Sequence, residues 1–323
     1  MPSIITHHVF SDEIYKRLSK RKQNKLKDII DVYHAFAQSH DYLYYYTFHK
    51  DAKKIKDLGN KGHKNSTQAY FINMINNIKD LKLTKDGYAL SYLYGSLCHY
   101  VMDSMCHPFI FYKTGAWNHD DKNTYKYRGG HTMMEKSIDA IYYKKIYGKE
   151  YKYCNVSKDI IGKPIFSKEL GNLIDKTWKD TYNEDNMAIK YLKGIKDAKF
   201  IYSVVINDCF GIKRTIYKFI DLITDHRNYI QYYSTHITNP DMSLLNLENK
   251  EWNNPANKEL KYTSSFIDLF NEGVLKVLKI IEVIDMYFDD KVDIKYVCKY
   301  IPDLSYSNGL LLKDYKPMQY FEY

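Results

Sequence analysis

Several things are missing from this chain of 323 residues, and each absence removes a class of protein. The five cysteines, Cys98, Cys106, Cys154, Cys209 and Cys298, are an odd number with no C-x-x-C pair. Neither a disulfide framework nor a thiolate zinc site is therefore expected. No run approaches the ~18 apolar residues of a membrane span. The first residues, Met1 to His8, hold neither the basic stretch nor the apolar core of a secretory signal, so the expected location is the cytoplasm. The 14 glycines never fall into the G-x-x-x-x-G-K-[ST] order that cradles a nucleotide phosphate. Strand-like alternation and internal repeats are also lacking, which leaves an all-α protein as the expectation.

What is present fits an ordinary soluble globule: 45% hydrophobic and 27% charged residues, over a length that buries a core. Helical periodicity runs from Ser11, a candidate N-cap, to residue 36. It resumes from Ser66 or Thr67 to about 81, from Asp86 to about Cys106, and from His131 to Tyr147, where Gly148 suits the stop. Pro108 is expected to end the central helix. Later helices are expected over about 168–182, 185–208, 212–232, 265–287 and 291–300. Residues 42–49 read as a short turn, 50–65 as a Lys/Gly/Asn-rich loop and 111–130 as an irregular connection. Asn239 to Lys261 is punctuated by Asn and Pro, and its Trp252 argues that it packs onto the domain. The reading is a single multi-helix domain over 1–303, ligand-bearing in 1–140, with its last helices in 263–300 and a polar tail over 304–323.

A formal charge of +9 favours anionic partners such as phosphoesters, nucleic acid or lipid headgroups. Part of that excess lies in the run from Lys16 to Lys27, which reads as a solvated helix face or as a contact for membrane or nucleic acid.

The chemistry concentrates in His99-Tyr100-Val101-Met102-Asp103-Ser104-Met105-Cys106-His107. On a helix, His99 and Asp103 share one face with about 5–6 Å between Cβ atoms, close enough to grip one ion. His131 and Glu135 repeat the spacing, and His107 stands one turn beyond Asp103. Gly95, one turn before His99, leaves room for another backbone or a metal. One such pair serves equally well as an ordinary helix salt bridge. Two pairs with His107, inside 37 residues, weigh toward a metal. Further donors are His7, His8, Asp41 and His63. Ten of the twelve histidines precede residue 132, and His226 and His236 stand alone as structural residues. Imidazole and carboxylate without thiolate suit Zn²⁺, with Mn²⁺ or Fe²⁺ as alternatives. So many donors suggest two or three ions, the usual device for phosphoester hydrolysis.

Thr6-His7, Gln38-Ser39-His40-Asp41, the glycines before His63, His99-x3-Asp103-x3-His107-Pro108 and His131-x3-Glu135-x3-Asp139 resemble, in order and spacing, the bacterial zinc-dependent phospholipase C family. The resemblance covers about residues 1–140 and implies the all-α phospholipase C/nuclease fold, with a metal cluster between helices. It implies a zinc-dependent phosphoric diester hydrolase in which metal-activated water attacks a phospholipid or related phosphoester. Position by position, Asp41, His63, His99 and Asp103 would bind one zinc, with Asp103 shared. His107, His131 and Glu135 would bind a second, and His7 would join Asp103 at a third. Asp41 matches the carboxylate that orients or deprotonates the attacking water. Tyr42 matches an aromatic at the headgroup pocket, where a choline ammonium would make a cation–π contact. Asp139 matches a residue supporting a ligand. Secreted members use the amino group of a processed N-terminus as a ligand at the third zinc; in this chain the nearest substitutes are the Pro2 amine and His8. Peripheral membrane contact is an expected mode of substrate access, and no stable nucleic-acid complex is expected.

Two other readings remain open. His40-Asp41 also resembles the doublet of an HD-type phosphohydrolase or nuclease, which would make His40 a metal ligand. A non-catalytic, zinc-stabilised binding or structural protein would keep the ligands and lack turnover.

Overall fold

A computed structural model describes residues 3–224 and 230–322, and the fold is all-α apart from one small hairpin. The first half contains α1 (Ile4–Arg17), α2 (Lys20–Leu26), α3 (Ile30–Gln38), the single-turn α4 (Tyr42–Tyr45), α5 (Ala52–Lys64), α6 (Thr67–Asp80), α7 (Gly87–Thr114) and α8 (Gly130–Tyr147). The second contains α9 (Lys168–Tyr182), α10 (Met187–Ile201), α11 (Ile212–Thr224), the antiparallel pair β1 (Trp252–Asn254) and β2 (Asn257–Tyr262), α12 (Phe266–Phe288) and α13 (Ile294–Cys298). Residue 226, the lone histidine of the expected 212–232 helix, lies outside the described residues, as does the Pro2 amine.

The long helix α7 is the axis of the fold. Asp86 caps it, accepting the Ala89 amide at 2.8 Å. Almost every residue from Ala89 to Ile110 is buried, because α3, α12 and α6 pack around it. At Gly95 the approach is tight: a Cβ there would stand 2.5 Å from the Tyr33 carbonyl of α3. The glycine admits a neighbouring backbone, one of the two uses its position suggested. Burial also explains why Pro108 does not end the helix, which runs on to Thr114. The proline removes one hydrogen bond from a helix held by side-chain packing on all sides. The Ser104 carbonyl that loses its partner lies under Gly309, where a Cβ would come within 2.4 Å of it.

Three other expectations are corrected by packing. The pattern over 11–36 is three helices. α1 starts before Ser11, because Ile4, Ile5, Val9 and Phe10 have a core to bury in. Ser11 lies within α1, its hydroxyl donating to the His8 carbonyl at 2.9 Å. Leu18, at ψ 152°, breaks the helix before the basic α2. Residues 52–64, expected as loop, form α5 although Gly59 and Gly62 each cost about 1 kcal/mol in a helix. Ile55, Leu58, Gly59, Gly62 and His63 fall at i, i+3, i+4, i+7 and i+8 and are all buried, so one packed face overrides propensity. Where no strand was expected, β1 and β2 pair Trp252 with Tyr262. Trp252 does pack down, stacking on Tyr262 at 4.5 Å and meeting Phe109 of α7 edge-on at 5.3 Å.

The last segment is not a free tail where it begins. Tyr306 is buried, its amide donates to the His63 carbonyl at 3.1 Å, and the Asn308 carbonyl accepts from the Asn254 side chain at 2.8 Å.

Candidate metal centre

Five segments deliver the candidate donors to one place. His7 stands in the first turn of α1, whose orphan amides need acceptors. Asp139 of α8 supplies them, accepting the Thr6 amide at 2.9 Å and the Thr6 hydroxyl at 2.7 Å. Asp139 thus ties the helix of His7 to the helix of Glu135. Asp41 leaves α3 through Ser39, a non-glycine residue held at φ +37°. That strained turn redirects the chain just before Asp41. His63 closes α5. His99, Asp103 and His107 follow one stripe of α7, and His131 and Glu135 one stripe of α8.

The donors meet as the spacing implied. His63 Nε2 lies 3.2 Å from His99 Nε2, 3.2 Å from Asp41 Oδ1 and 3.8 Å from Asp103 Oδ2. His99 Nε2 is 3.5 Å from both Asp41 Oδ1 and Asp103 Oδ2. His7 Nε2 approaches the other oxygen of Asp103 at 3.1 Å. On the far side of Asp103, His107 Nδ1 stands 3.9 Å from Oδ2, while its Nε2 is 3.7 Å from Glu135 Oε1. Glu135 Oε1 also meets His131 Nε2 at 2.8 Å. Three groups have the geometry to hold a metal ion: His7, Asp41 and His99; His63, His99 and Asp103; and His107, His131 and Glu135.

The hydrogen bonds behind the ligands orient them. His63 Nδ1–H donates to the Gly59 carbonyl at 2.7 Å, and His107 Nδ1–H donates to the Tyr306 carbonyl at 2.7 Å. Each ring therefore turns its Nε2 toward a carboxylate. A lone pair facing an anion is repulsive unless a cation or proton lies between them. Protons are disfavoured here: burial drives His99 well below the ordinary imidazole range, lowers His107, and takes His131 to about 4 despite the upward pull of Glu135. Burial raises Asp41 more than neighbouring His63 lowers it. Burial also works against ionisation of Asp103, but His107, His99 and His7 outweigh it and hold the carboxyl well below its usual range. Both ring nitrogens of His7, Asp41 Oδ1, His99 Nδ1, both oxygens of Asp103 and His107 Nε2 are buried without a hydrogen-bond partner. Leaving so many buried polar atoms unsatisfied is costly, and a divalent cation is the group that these donors fit.

Some candidates lie elsewhere. His8 stacks on His34 at 4.1 Å and joins none of the three groups. His40 directs Nδ1 to the Tyr191 hydroxyl at 2.8 Å and is likewise outside them, against the HD-type reading. Tyr42 is buried, 2% exposed. Tyr44 stands behind His63, with its hydroxyl 3.3 Å from Nδ1. Tyr306 has no counterpart in the sequence reading. Its ring lies 5.0 Å from that of His63 and 5.7 Å from that of His99, while its backbone holds both His63 and His107. No spacing rule could find it, because the bonds are made by main-chain atoms that any residue carries.

The His107 end of the cluster is the more open, with the His131 side chain a quarter exposed. Beside it is a cleft of about 420 Å³ lined by Lys113, Lys126, Arg128, Gly130, Met133 and Tyr232, among others. No helix among the described residues is long and apolar enough to cross a membrane. A model of the family described as zinc dependent phospholipase C matches residues 6–188. No curated protein and no solved structure matches the chain.

Proposed function

The chain belongs to the zinc-dependent phospholipase C family, and from that premise we propose that it is a phosphodiesterase that hydrolyses a phospholipid or a closely related phosphoester. The observation that carries the reading is the convergence of buried imidazole and carboxylate atoms that have no hydrogen-bond partners. Asp41, His63, His99 and Asp103 would hold one zinc. His107, His131 and Glu135 would hold a second, and His7 with Asp103 and its neighbours a third. When bound, zinc supplies Lewis-acid chemistry, neutralising phosphoryl charge and drawing the pKa of water toward ~7.

The protein's own groups have separable tasks. Asp103 turns Oδ1 to His7 and Oδ2 to His63, His99 and His107, and so links the groups. Asp41 orients the attacking water and takes its proton, a task helped by burial that raises its carboxyl above the ordinary range. Tyr44 helps hold the His63 ring through its hydroxyl at Nδ1. Lys113, Lys126 and Arg128 in the cleft next to His131 favour an anionic phosphoester over a neutral ester.

The purified protein, assayed with phosphatidylcholine, bis-p-nitrophenyl phosphate and single-stranded DNA, tests the reading. Hydrolysis of the first two with DNA left intact is expected. A zinc-loaded protein inert toward all three overturns it. His40→Ala separates the HD-type alternative, since the proposal expects unchanged metal content in that variant.

A further inference from the structure

Helix α11 is amphipathic, yet its apolar stripe faces outward. Ile212, Ile216, Phe219 and Ile223 recur at i, i+4, i+7 and i+11, and all four are exposed, Phe219 by 62%. Leu222 beside them is 80% exposed, and Phe210, just before the helix, 85%. The polar side of the helix faces the protein. Asp221 is buried and accepts the Ile230 and Gln231 amides at 2.8 and 3.0 Å. Arg214 donates to the His236 carbonyl at 3.0 Å, and Lys213 to the Asn207 carbonyl. Those bonds fix the orientation, so the outward stripe is set by specific polar contacts.

The apolar surface continues toward the metal centre. Tyr217 of α11 donates its hydroxyl to the Val205 carbonyl at 2.7 Å, and Val204 and Val205 are exposed. One turn earlier Phe200 is exposed and meets exposed Phe48 edge-on at 5.5 Å. Phe48 belongs to the segment that leaves Asp41, and its amide and that of Thr47 are held by Asp197. Exposed Lys218, Lys196 and Lys50 fringe the surface. Monomeric proteins rarely leave so continuous an apolar patch in water, and its polar fringe marks an interaction face.

We propose that this face seats the protein on a phospholipid surface containing anionic lipid. α11 lies in the plane of the interface, its stripe reaches the acyl boundary, and the lysines meet the headgroups. Charge selects the occupant: a second copy would bring +9 against +9, whereas anionic lipid satisfies both the stripe and its fringe. The inference builds on the phospholipid reading and adds the surface that reads it.

Co-sedimentation of the full-length protein with phosphatidylcholine vesicles, with and without phosphatidylglycerol, tests the proposal. The wild type is expected to bind the anionic vesicles more tightly. The double variant Ile216→Glu/Phe219→Glu should lose about tenfold or more of that binding. Lys218→Glu should lose less, and its loss should shrink as salt is raised. Both variants change exposed side chains, so the wild-type circular dichroism and the rate on bis-p-nitrophenyl phosphate should persist. Wild type that ignores all vesicles, a double variant that binds as wild type does, or a lipid-free dimer that the double variant dissociates each overturns the proposal. Binding is read without turnover. A protein that binds vesicles and hydrolyses nothing therefore refutes the hydrolase reading alone, and an active one that ignores vesicles refutes this surface alone.

Discussion

Asp103 and Phe219 occupy each other's expected places. The carboxylate is completely buried in α7, among imidazoles and a second carboxylate. The phenyl ring stands in water on α11. Both placements cost free energy in the isolated chain, one through desolvation of charge and the other through hydration of hydrocarbon. The partners proposed above would offset both: a divalent cation inside and a lipid surface outside. The two regions also differ in what holds them. The cluster is braced from behind by Gly59, Tyr306 and Asp139, whereas α11 is fastened by its polar face and leaves its apolar face unmet.

Breaking the inner region should have the larger effect. Asp103→Ala removes the oxygens that link the donor groups, so hydrolysis should fall by about 10³-fold or more and metal content should drop. Phe219→Glu should leave metal content and the rate on the soluble bis-p-nitrophenyl phosphate unchanged. Steady-state rates and metal analysis on the two purified variants check this contrast, and equal losses would dissolve it.

Acid separates the regions next. Half-buried His8 and buried His34 form a pair outside the three donor groups, and desolvation lowers His8 to about 4 and His34 well below its ordinary range. Between pH ~6.5 and about 4 the unfolded chain binds a proton at His8 that the folded chain refuses, so stability falls as pH falls. His8 alone accounts for about 3 kcal/mol of that loss. Urea melts from pH 7 to 4 should show the decline in wild type and Phe219→Glu alike, and His8→Asn should remove about 3 kcal/mol of it.

A smaller effect sharpens the packing side of the comparison. Gly95→Ala pushes a methyl against the Tyr33 carbonyl and should cost about 1–3 kcal/mol. Gly171→Ala, with only one neighbour at 3.8 Å, should cost nothing measurable or add stability. Thermal denaturation of the pair reads the difference.

What the sequence made legible follows the same division. Helix spacing places His99 with Asp103 and His131 with Glu135 on common faces, because i,i+4 geometry is local. His7, Asp41 and His63 are legible only as further candidate donors, and the family resemblance groups them with the helix pairs, because their convergence is long-range. Neither source reaches Tyr306, whose part is played by backbone atoms across nearly 200 residues from His107. Glycine content argued for a loop over 50–65, while burial of one face makes it α5. Periodicity identifies the apolar stripe of α11 but not its direction, since the same pattern serves a core or a surface. Tyr42 and Tyr44 are two residues apart in a single turn, too close for a sequence motif to decide which ring stands beside His63.

Metal content per chain is the most direct test of the central claim. Protein purified without chelators in zinc-replete buffer and analysed by inductively coupled plasma mass spectrometry should carry two or three zinc ions, one for each donor group that fills. Wild-type protein retaining less than one equivalent after desalting would contradict the account.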